Sequence, residues 1–212
     1  MRVPGRRPAS IAAPAGYRFR IEGLGGHAGA LLMPQRRDAL CAAAELILAV
    51  ERNALTLGTI DTVATVGTCD VHPGAVNSVP SRVELQLDLR DIDPIRREAV
   101  MQGIRKDADL LRQKRQVAIV ETLVNADAPA TSSPELVDLI ERLARESNFL
   151  SRPIVSRAYH DTLFMAAVAP VAMIFVPCRE GISHRPEEYA SPSDIARGTH
   201  LLAQVLATVS SV

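Results

Sequence analysis

Apolar and polar residues alternate strictly over two stretches of the chain. In residues 83–90, aliphatic side chains alternate with polar ones: Val83, Glu84, Leu85, Gln86, Leu87, Asp88, Leu89 and Arg90. Tyr17, Phe19 and Ile21 alternate with arginine and glutamate in the same way. A period of two is typical of a half-buried β-strand. Both stretches therefore predict strands with one face in a core and the other facing water or a ligand.

Apolar residues at helical spacing occupy two stretches between the predicted strands. The first follows Pro34 and the second begins at Pro94, and each has one apolar face. Further strands are predicted at about residues 58–69 and 116–123, and the strand containing residues 83–90 is predicted to begin at residue 79. The order β-α-β-β-α-β predicts a two-layer domain over residues 17–125, with its helices on one side of an antiparallel sheet.

Residues 126–212 predict part of a second domain. Ser133-Pro134 begins a helix, residues 171–176 form an apolar run typical of a buried strand, and Ser191-Pro192 begins the last helix. A lone strand cannot pair its own backbone groups, so this domain is expected to be incomplete. The fold class is therefore α/β with an α+β first domain. Residues 1–16 are expected to be a leader, either disordered or part of a linker to a catalytic domain.

Composition narrows the class of partner. Of 212 residues 47% are apolar and only 3% aromatic, and Lys+Arg equals Asp+Glu at 24 each. A balanced charge predicts neither a nucleic-acid face nor an anionic membrane partner, and no segment is long enough to span a bilayer. The three cysteines lie far apart, which favours a reducing cytoplasm over a disulfide framework. We expect a small-molecule partner.

Candidate chemistry is concentrated in two places. Residues 157–164 contain His160 and Asp161, and residues 181–189 contain His184 together with two glutamates, around the apolar run 171–176. Imidazoles and carboxylates are groups that can converge on a metal ion or a substrate. His27 lies apart from them, in a glycine-rich stretch that predicts an exposed turn.

Several short motifs in order resemble the C-terminal half of the M20 metallopeptidase family, in its amidase, hydantoinase and carbamoylase branch. The motifs are Gly26-His27-Ala28-Gly29, Met33-Pro34, Arg36-Arg37-Asp38-Ala39-Leu40, Asn77-Ser78-Val79-Pro80, Asp88-Leu89-Arg90-Asp91 and Gly181-Ile182-Ser183-His184. The run from Ser156 to Ala166 and the stretch Met173–Cys178 are most similar to ureidoglycolate amidohydrolases within this branch. The resemblance extends from about Ala12 to the C-terminus.

The resemblance implies a fold, a reaction and an assembly. Residues 17–125 would be a lid or dimerisation domain, and residues 126–212 the C-terminal part of a zinc-peptidase-like α/β catalytic domain. Family members of this kind are dimeric hydrolases with two divalent ions, Mn²⁺ or Zn²⁺, that cleave the carbamoyl C–N bond of a small ureido acid. Ureidoglycolate is favoured as substrate, then allantoate or an N-carbamoyl amino acid, and purine breakdown is the implied pathway.

The resemblance also implies roles for three residues of the lid. His27 would donate a hydrogen bond within the partner subunit's site, and the alternative is a solvated histidine in a turn. Asn77 and Arg90 would bind the polar end of the substrate, since a guanidinium meets a carboxylate in a bidentate fork. The alternative for Arg90 is an ion pair with Asp88 or Asp91 on its own strand.

In the second domain the resemblance implies that His184 is the C-terminal metal ligand and that Gly181 and His160 line the substrate site. Glu188 would support His184 or be a surface charge only. For His160 and Asp161 two interpretations stay open, since they would line the pocket or begin a helix that Asp161 favours electrostatically.

One departure from the family pattern affects the activity. The segment that carries most metal ligands and the general-base glutamate in the family has no counterpart before Tyr17. One imidazole cannot hold a two-metal cluster, so this chain alone is expected to be a truncated, inactive part of the enzyme. The alternative is a non-catalytic remnant that only dimerises or regulates. Intact His27, Asn77, Arg90 and His184 favour the enzyme.

Overall fold

The structure is a computed structural model that describes residues 9–210. Two compact units divide the chain. The inserted unit comprises Ala12–Ala130 and Arg157–Tyr159, and the outer unit comprises residues 9–11, Thr131–Ser156 and residues 160–210. The inserted unit therefore interrupts the sequence of the outer unit.

Eight strands, five α-helices and two 3₁₀ helices, Met33–Gln35 and Arg179–Gly181, are assigned within residues 9–210. The strands are β1 (Ser10–Ile11), β2 (Ala13–Glu22), β3 (Gly26–His27), β4 (Val63–His72), β5 (Ser78–Val79), β6 (Arg82–Asp91), β7 (Ala118–Ala126) and β8 (Ala130–Thr131). The helices are α1 (Ala39–Leu57), α2 (Pro94–Arg115), α3 (Pro134–Glu146), α4 (Thr162–Met165) and α5 (Pro192–Val209).

The main sheet of the inserted unit has the order β4-β6-β2-β7, and its neighbouring strands are antiparallel. Strand β6 carries the alternation expected from the sequence, with its four aliphatic side chains buried against α1 and α2. The fold class and the β-α-β-β-α-β order are therefore confirmed. The polar side of β6 belongs to the opposite face of the sheet.

The two helices of the inserted unit approach each other closely at Gly103 of α2. A Cβ atom at this position would lie 2.2 Å from Asn53 Oδ1 on α1. The buried Asn53 amide donates to Ala49 O (2.7 Å) and to Asp107 Oδ2 (2.6 Å). A polar group is therefore satisfied inside the helix interface, in space that only glycine leaves open.

The main segment of the inserted unit, Ala12–Ala130, begins and ends beside neighbouring strands. Ala15 of β2 lies opposite Ala126 of β7, so the chain enters and leaves at the same end of the sheet. Strand β2 starts at Ala13 rather than near Tyr17. The earlier start was not predicted because residues 13–15 are buried in succession and show no alternation. The expected leader therefore differs from the structure over residues 10–16, which lie largely in strands. Its residues 1–8 lie outside the described residues.

The outer unit has a small core in which α3 packs against α5. Its buried residues are Leu143, Ala144, Leu201 and Val205. The apolar run 171–176 packs against this core through Ile174 but belongs to no strand ladder, so the predicted buried strand is absent there. Phe175 is 45% exposed. A cavity of about 660 Å³ lies beside this run. No helix among residues 9–210 meets the length and hydropathy needed to cross a membrane.

Candidate active site

His27 lies at the end of the short ladder between β3 and β5. Gly26 pairs with Val79 and His27 with Ser78, and the next amide, Ala28 N–H, donates to Asn77 O at 2.8 Å. The His27 side chain is exposed, as the glycine-rich sequence predicted. The ladder thus brings His27 and Asn77 together at one edge of the inserted unit.

The imidazole of His27 has a defined partner on one ring nitrogen. Gly29 N–H donates to His27 Nδ1 at 3.1 Å. In neutral histidine one nitrogen accepts and the other carries the proton, so this bond assigns the proton to Nε2. His27 is therefore oriented to donate a hydrogen bond from Nε2.

Asn77 is exposed in the loop before β5. Its carbonyl is used by Ala28, and the loop is closed by Ser78 N–H donating to Ala75 O at 3.1 Å. Backbone bonds therefore fix the position of Asn77 relative to His27, and the role of its amide in substrate binding stays a prediction.

Arg90 lies on β6 and forms the ion pair that was the alternative to ligand binding. Its Nε and Nη2 donate to the two carboxylate oxygens of Asp88 at 2.8 and 2.6 Å, and Nη1 donates to Arg157 O at 3.2 Å. The hydrogen bonds that Arg90 donates to Asp88 raise the pKa of Arg90 above its ordinary value, and partial burial opposes this rise. Three of the five N–H groups that a guanidinium offers take part in these bonds. Substrate binding by Arg90 stays a prediction.

Arg90 and the His27 loop lie toward opposite ends of the same strand. Gly23 N–H donates to Ser81 O, directly before Arg82 begins β6. Arg82 and Arg90 are eight residues apart on an extended strand, which is about 26 Å at ~3.3 Å per residue. The His27 loop therefore joins the sheet at the end of β6 opposite to Arg90.

His160 lies in the outer unit and bonds to a buried serine. Its Nε2 is 2.7 Å from Ser156 Oγ, and its ring meets Phe175 edge to face at 5.6 Å. Asp161 occupies the position before α4, but its side chain makes no capping hydrogen bond there. Its carbonyl accepts from Phe164 N–H at 3.0 Å instead. Hydrogen-bond capping by the Asp161 side chain is thus absent.

His184 follows a tight turn that contains Gly181. Glu180 and Gly181 both have positive φ, at 55° and 69°, and His184 itself has a φ of 60°. Glu188 Oε2 accepts from the backbone N–H of His184 at 2.8 Å. Glu188 therefore holds the main chain at His184, and the imidazole is exposed.

A sequence model of peptidase family M20/M25/M40 matches residues 22–208. The match includes most of the inserted unit and most of the outer unit. The chain belongs to this family. Family membership agrees with the resemblance inferred from the ordered motifs around His27, Asn77, Arg90 and His184.

Relatives of this M20 chain are named as hydrolases. Ureidoglycolate hydrolase of Arabidopsis thaliana is 50% identical over 202 residues, which are 95% of this chain and 42% of that protein. N-carbamoyl-L-amino-acid amidohydrolase of a Pseudomonas species is 36% identical over 194 residues, covering 92% and 47%. The crystal structure of AtUAH in complex with glyoxylate has a TM-score of 0.91 at 48% identity, covering 96% of this chain and 48% of that one. The M20 chain thus spans about half the length of these relatives.

The M20 chain does not by itself fit the two-metal site that the resemblance implies. Among residues 9–210, no three His, Cys, Asp or Glu side chains form a group that could hold a metal ion. The Glu188 carboxylate accepts a hydrogen bond from the backbone N–H of His184 and not from its imidazole. The role of His184 as a metal ligand therefore stays a prediction.

Three residues that support the candidate site were not predicted from the sequence. Arg36 donates to Ala28 O and Leu31 O beside His27, and Ser156 bonds to His160. Arg157 donates to Asp61 Oδ1 at 2.6 Å while its carbonyl accepts from Arg90. Arg36 lies in a stretch that resembles an M20 motif, but backbone carbonyls as hydrogen-bond partners leave no pattern in a sequence.

Proposed function

We propose that this chain is the lid-bearing part of a hydrolase that cleaves the carbamoyl C–N bond of a small ureido acid. The observation that carries the proposal is the geometry of His27, whose Nδ1 accepts from Gly29 so that Nε2 is the donor. A donor aimed at a developing oxyanion can contribute ~10²–10³-fold to kcat in such reactions. His27 is proposed to donate to the carbonyl oxygen as the tetrahedral intermediate forms.

The proposed substrate is ureidoglycolate, with allantoate and N-carbamoyl amino acids next. Each of these molecules combines a ureido group with a carboxylate. The 50% identity to a ureidoglycolate hydrolase, against 36% to a carbamoyl amino acid amidohydrolase, supports this order. Arg90 is proposed to bind the carboxylate, because a guanidinium forms paired, charge-assisted hydrogen bonds with it.

We propose that the enzyme is a homodimer in which the two copies share each site. Arg82 and Arg90 are about 26 Å apart along β6, which exceeds the length of a small ureido acid. The His27 loop joins the sheet at the Arg82 end of β6, so we propose that one substrate contacts His27 and Arg90 from different copies. Each site is proposed to take His27 and Asn77 from one copy and Arg90 from the other.

The surface proposed for this pairing is the outer side of α1 next to the edge strand β4. Leu48 and Leu55 are 60% and 79% exposed on α1, and they lie seven residues apart, which is two helical turns. Strand β4 is at the edge of the sheet, and its residues 67–70 are exposed. We propose that a second copy of this chain binds this surface, because the proposed site needs residues from two copies.

A divalent ion, Mn²⁺ or Zn²⁺, is proposed for the complete enzyme. Its remaining ligands would come from polypeptide other than residues 9–210, since these residues hold no cluster of three ligands. The roles proposed for His27 and Arg90 are binding and orientation, and neither depends on which ion is present. This chain alone is expected to be inactive.

The proposal is tested by ammonia release from ureidoglycolate with Mn²⁺ present. Three proteins are compared: this chain, the protein extended upstream in its reading frame, and a chimera in which this chain replaces the matching region of the Arabidopsis relative. We expect activity in the second and third proteins only. His27→Asn should lower kcat ~10²–10³-fold in both active proteins, whereas the exposed His72→Asn serves as the matched control.

The opposite result is equally informative. Folded proteins of both longer kinds that bind metal but are inert on ureidoglycolate, allantoate and N-carbamoyl amino acids would overturn the proposal. The non-catalytic alternative, a chain that only dimerises or regulates, would then be favoured.

A further inference from the structure

Arg36 lies directly behind the His27 loop, between the turn at Met33–Gln35 and helix α1. Its Nη2 donates to Ala28 O at 2.6 Å, and its Nε donates to Leu31 O at 3.1 Å. The residue is partly buried. One planar guanidinium therefore holds two carbonyls that belong to successive parts of the same loop.

The amides of the same loop are directed the other way, toward His27. Gly29 N–H donates to His27 Nδ1, and the N–H groups of Ala30 and Leu31 donate to His27 O at 3.0 and 3.1 Å. Each peptide plane between residues 28 and 31 is thus held from at least one side. Ala28 O and Gly29 N–H belong to the same peptide group. Loss of the Arg36 hydrogen bond to Ala28 O would therefore free the Gly29 N–H that holds the His27 imidazole.

We propose that Arg36 is a positioning residue for His27. By holding the carbonyls of Ala28 and Leu31, it keeps Gly29 N–H on Nδ1 and so maintains Nε2 as the proton donor. The inference rests on the proposed role of His27, but the arrangement itself can be measured without substrate. Lysine cannot replace Arg36, because its single ammonium group lacks the fixed fork that spans two carbonyls.

The helix that follows makes Arg36 a fixed point rather than a mobile side chain. Asp38 begins α1, and its carboxylate accepts from the N–H groups of Leu40 and Cys41 at 2.9 and 3.1 Å. Arg37 O accepts from Leu24 N–H at 2.8 Å on the other side of the loop. The backbone on both sides of Arg36 is therefore tied to regular structure.

The experiment is NMR on this chain labelled with ¹⁵N, without substrate or metal. The readout is the ¹⁵N–¹⁵N coupling across the Gly29 N–H to His27 Nδ1 hydrogen bond, together with the His27 tautomer at about pH 8.5. His27→Asn assigns the resonances. We expect the coupling and a single Nε2–H form in the unchanged chain.

Two Arg36 variants and two controls separate positioning from general damage. Arg36→Gln and Arg36→Lys should abolish the coupling, give a second set of His27 resonances, and lower amide-exchange protection of Ala30 and Leu31 by at least about tenfold. Arg37→Gln changes the neighbouring exposed arginine and should leave all three readouts unchanged. Gly29→Ala retains the N–H, and its Cβ would lie 3.5 Å from the His27 ring, so the coupling should persist.

The proposal is overturned if the unchanged chain lacks the coupling, or if both Arg36 variants keep it while remaining folded. If the Arg36→Gln chain does not fold, the coupling in the Arg36→Lys variant and in the unchanged chain decides the outcome. Failure of ureido-acid hydrolysis in the longer proteins, with the coupling present here, would count against the proposed function alone.

Discussion

Asp88 and Arg90 lie on the same face of β6, and the carboxylate of the first accepts two hydrogen bonds from the guanidinium of the second. Residues i and i+2 of a strand point to one side of the sheet, which makes this pairing local. Any substrate carboxylate that Arg90 binds must therefore share the guanidinium with Asp88 or displace it.

The two residues should respond differently to substitution if Arg90 binds substrate. In an active longer protein, Arg90→Gln should raise KM for ureidoglycolate by about 10–100-fold, as expected for loss of charge-assisted hydrogen bonds. Asp88→Asn should leave KM unchanged or lower it, since Arg90 loses a competing partner. Steady-state kinetics decide this, and an unchanged KM in both variants would assign Arg90 a structural role only.

Asp91 should make the inserted unit sensitive to acid. Its side chain is fully buried and accepts from Thr62 Oγ1, Arg96 Nε and Asp93 N–H at 2.5, 2.9 and 2.8 Å. Burial alone would raise the pKa of Asp91, but the bonds from Arg96, Thr62 and Asp93 hold it below its ordinary value. The stabilisation is therefore present above the unfolded pKa of about 3.9 and is lost as pH falls through the lower folded pKa.

Denaturant unfolding at several pH values measures this effect. Near neutral pH, Asp91→Asn should lower the free energy of unfolding by about 2–3 kcal/mol, and the difference should shrink below about pH 4. Asp109→Asn removes an exposed ion pair with Arg112 and should cost less than about 1 kcal/mol. A difference that stays constant down to acid pH would contradict the assignment.

Leu48 provides a test of the proposed pairing surface. Leu48→Asp places a charge on the outer side of α1 and should shift a dimer toward monomer, because burying an unpaired carboxylate in an interface is costly. Leu110→Asp on α2 is the control, since Leu110 is similarly exposed at 63%. Light scattering after size exclusion gives the mass. Equal behaviour of the two variants would reject this surface.

Gly103 should resist a substitution that normally stabilises a helix. Alanine exceeds glycine in helix propensity by ~1 kcal/mol, but at this position its Cβ would overlap Asn53 Oδ1. We expect Gly103→Ala to lower the free energy of unfolding by about 1–3 kcal/mol. Gln102→Ala, at the neighbouring exposed position, should change it by less than about 0.5 kcal/mol. Thermal and denaturant unfolding would show the contrast.

Residues 83–90 show which part of the fold can be predicted from the sequence. One face of β6 is covered by helices and the other is not, so apolar side chains on the buried face alternate with polar side chains on the other face. Residues 13–15 of β2 are buried in succession and carry no such alternation, so the start of that strand could not be placed.

Residues 171–176 show that apolar composition alone does not predict a strand. Their composition matches a buried strand, but a ladder needs a neighbour, and among residues 9–210 no strand pairs with this run. For the candidate site, motifs gave the positions of His27, Asn77 and Arg90. The supporting bonds of Arg36 end on backbone carbonyls, which every residue possesses, and they could not be predicted.

The adjacency of Ala15 and Ala126 has a consequence for how such a protein can arise and be altered. A segment whose two ends meet on neighbouring strands, with a core drawn from its own helices and sheet, can be spliced into a surface connection of another domain at little geometric cost. Because its ends are adjacent, this segment can also be removed. The continuous segment Ala12–Ala130 could therefore be exchanged as one piece among relatives, and the exchange would carry His27, Asn77 and Arg90 together.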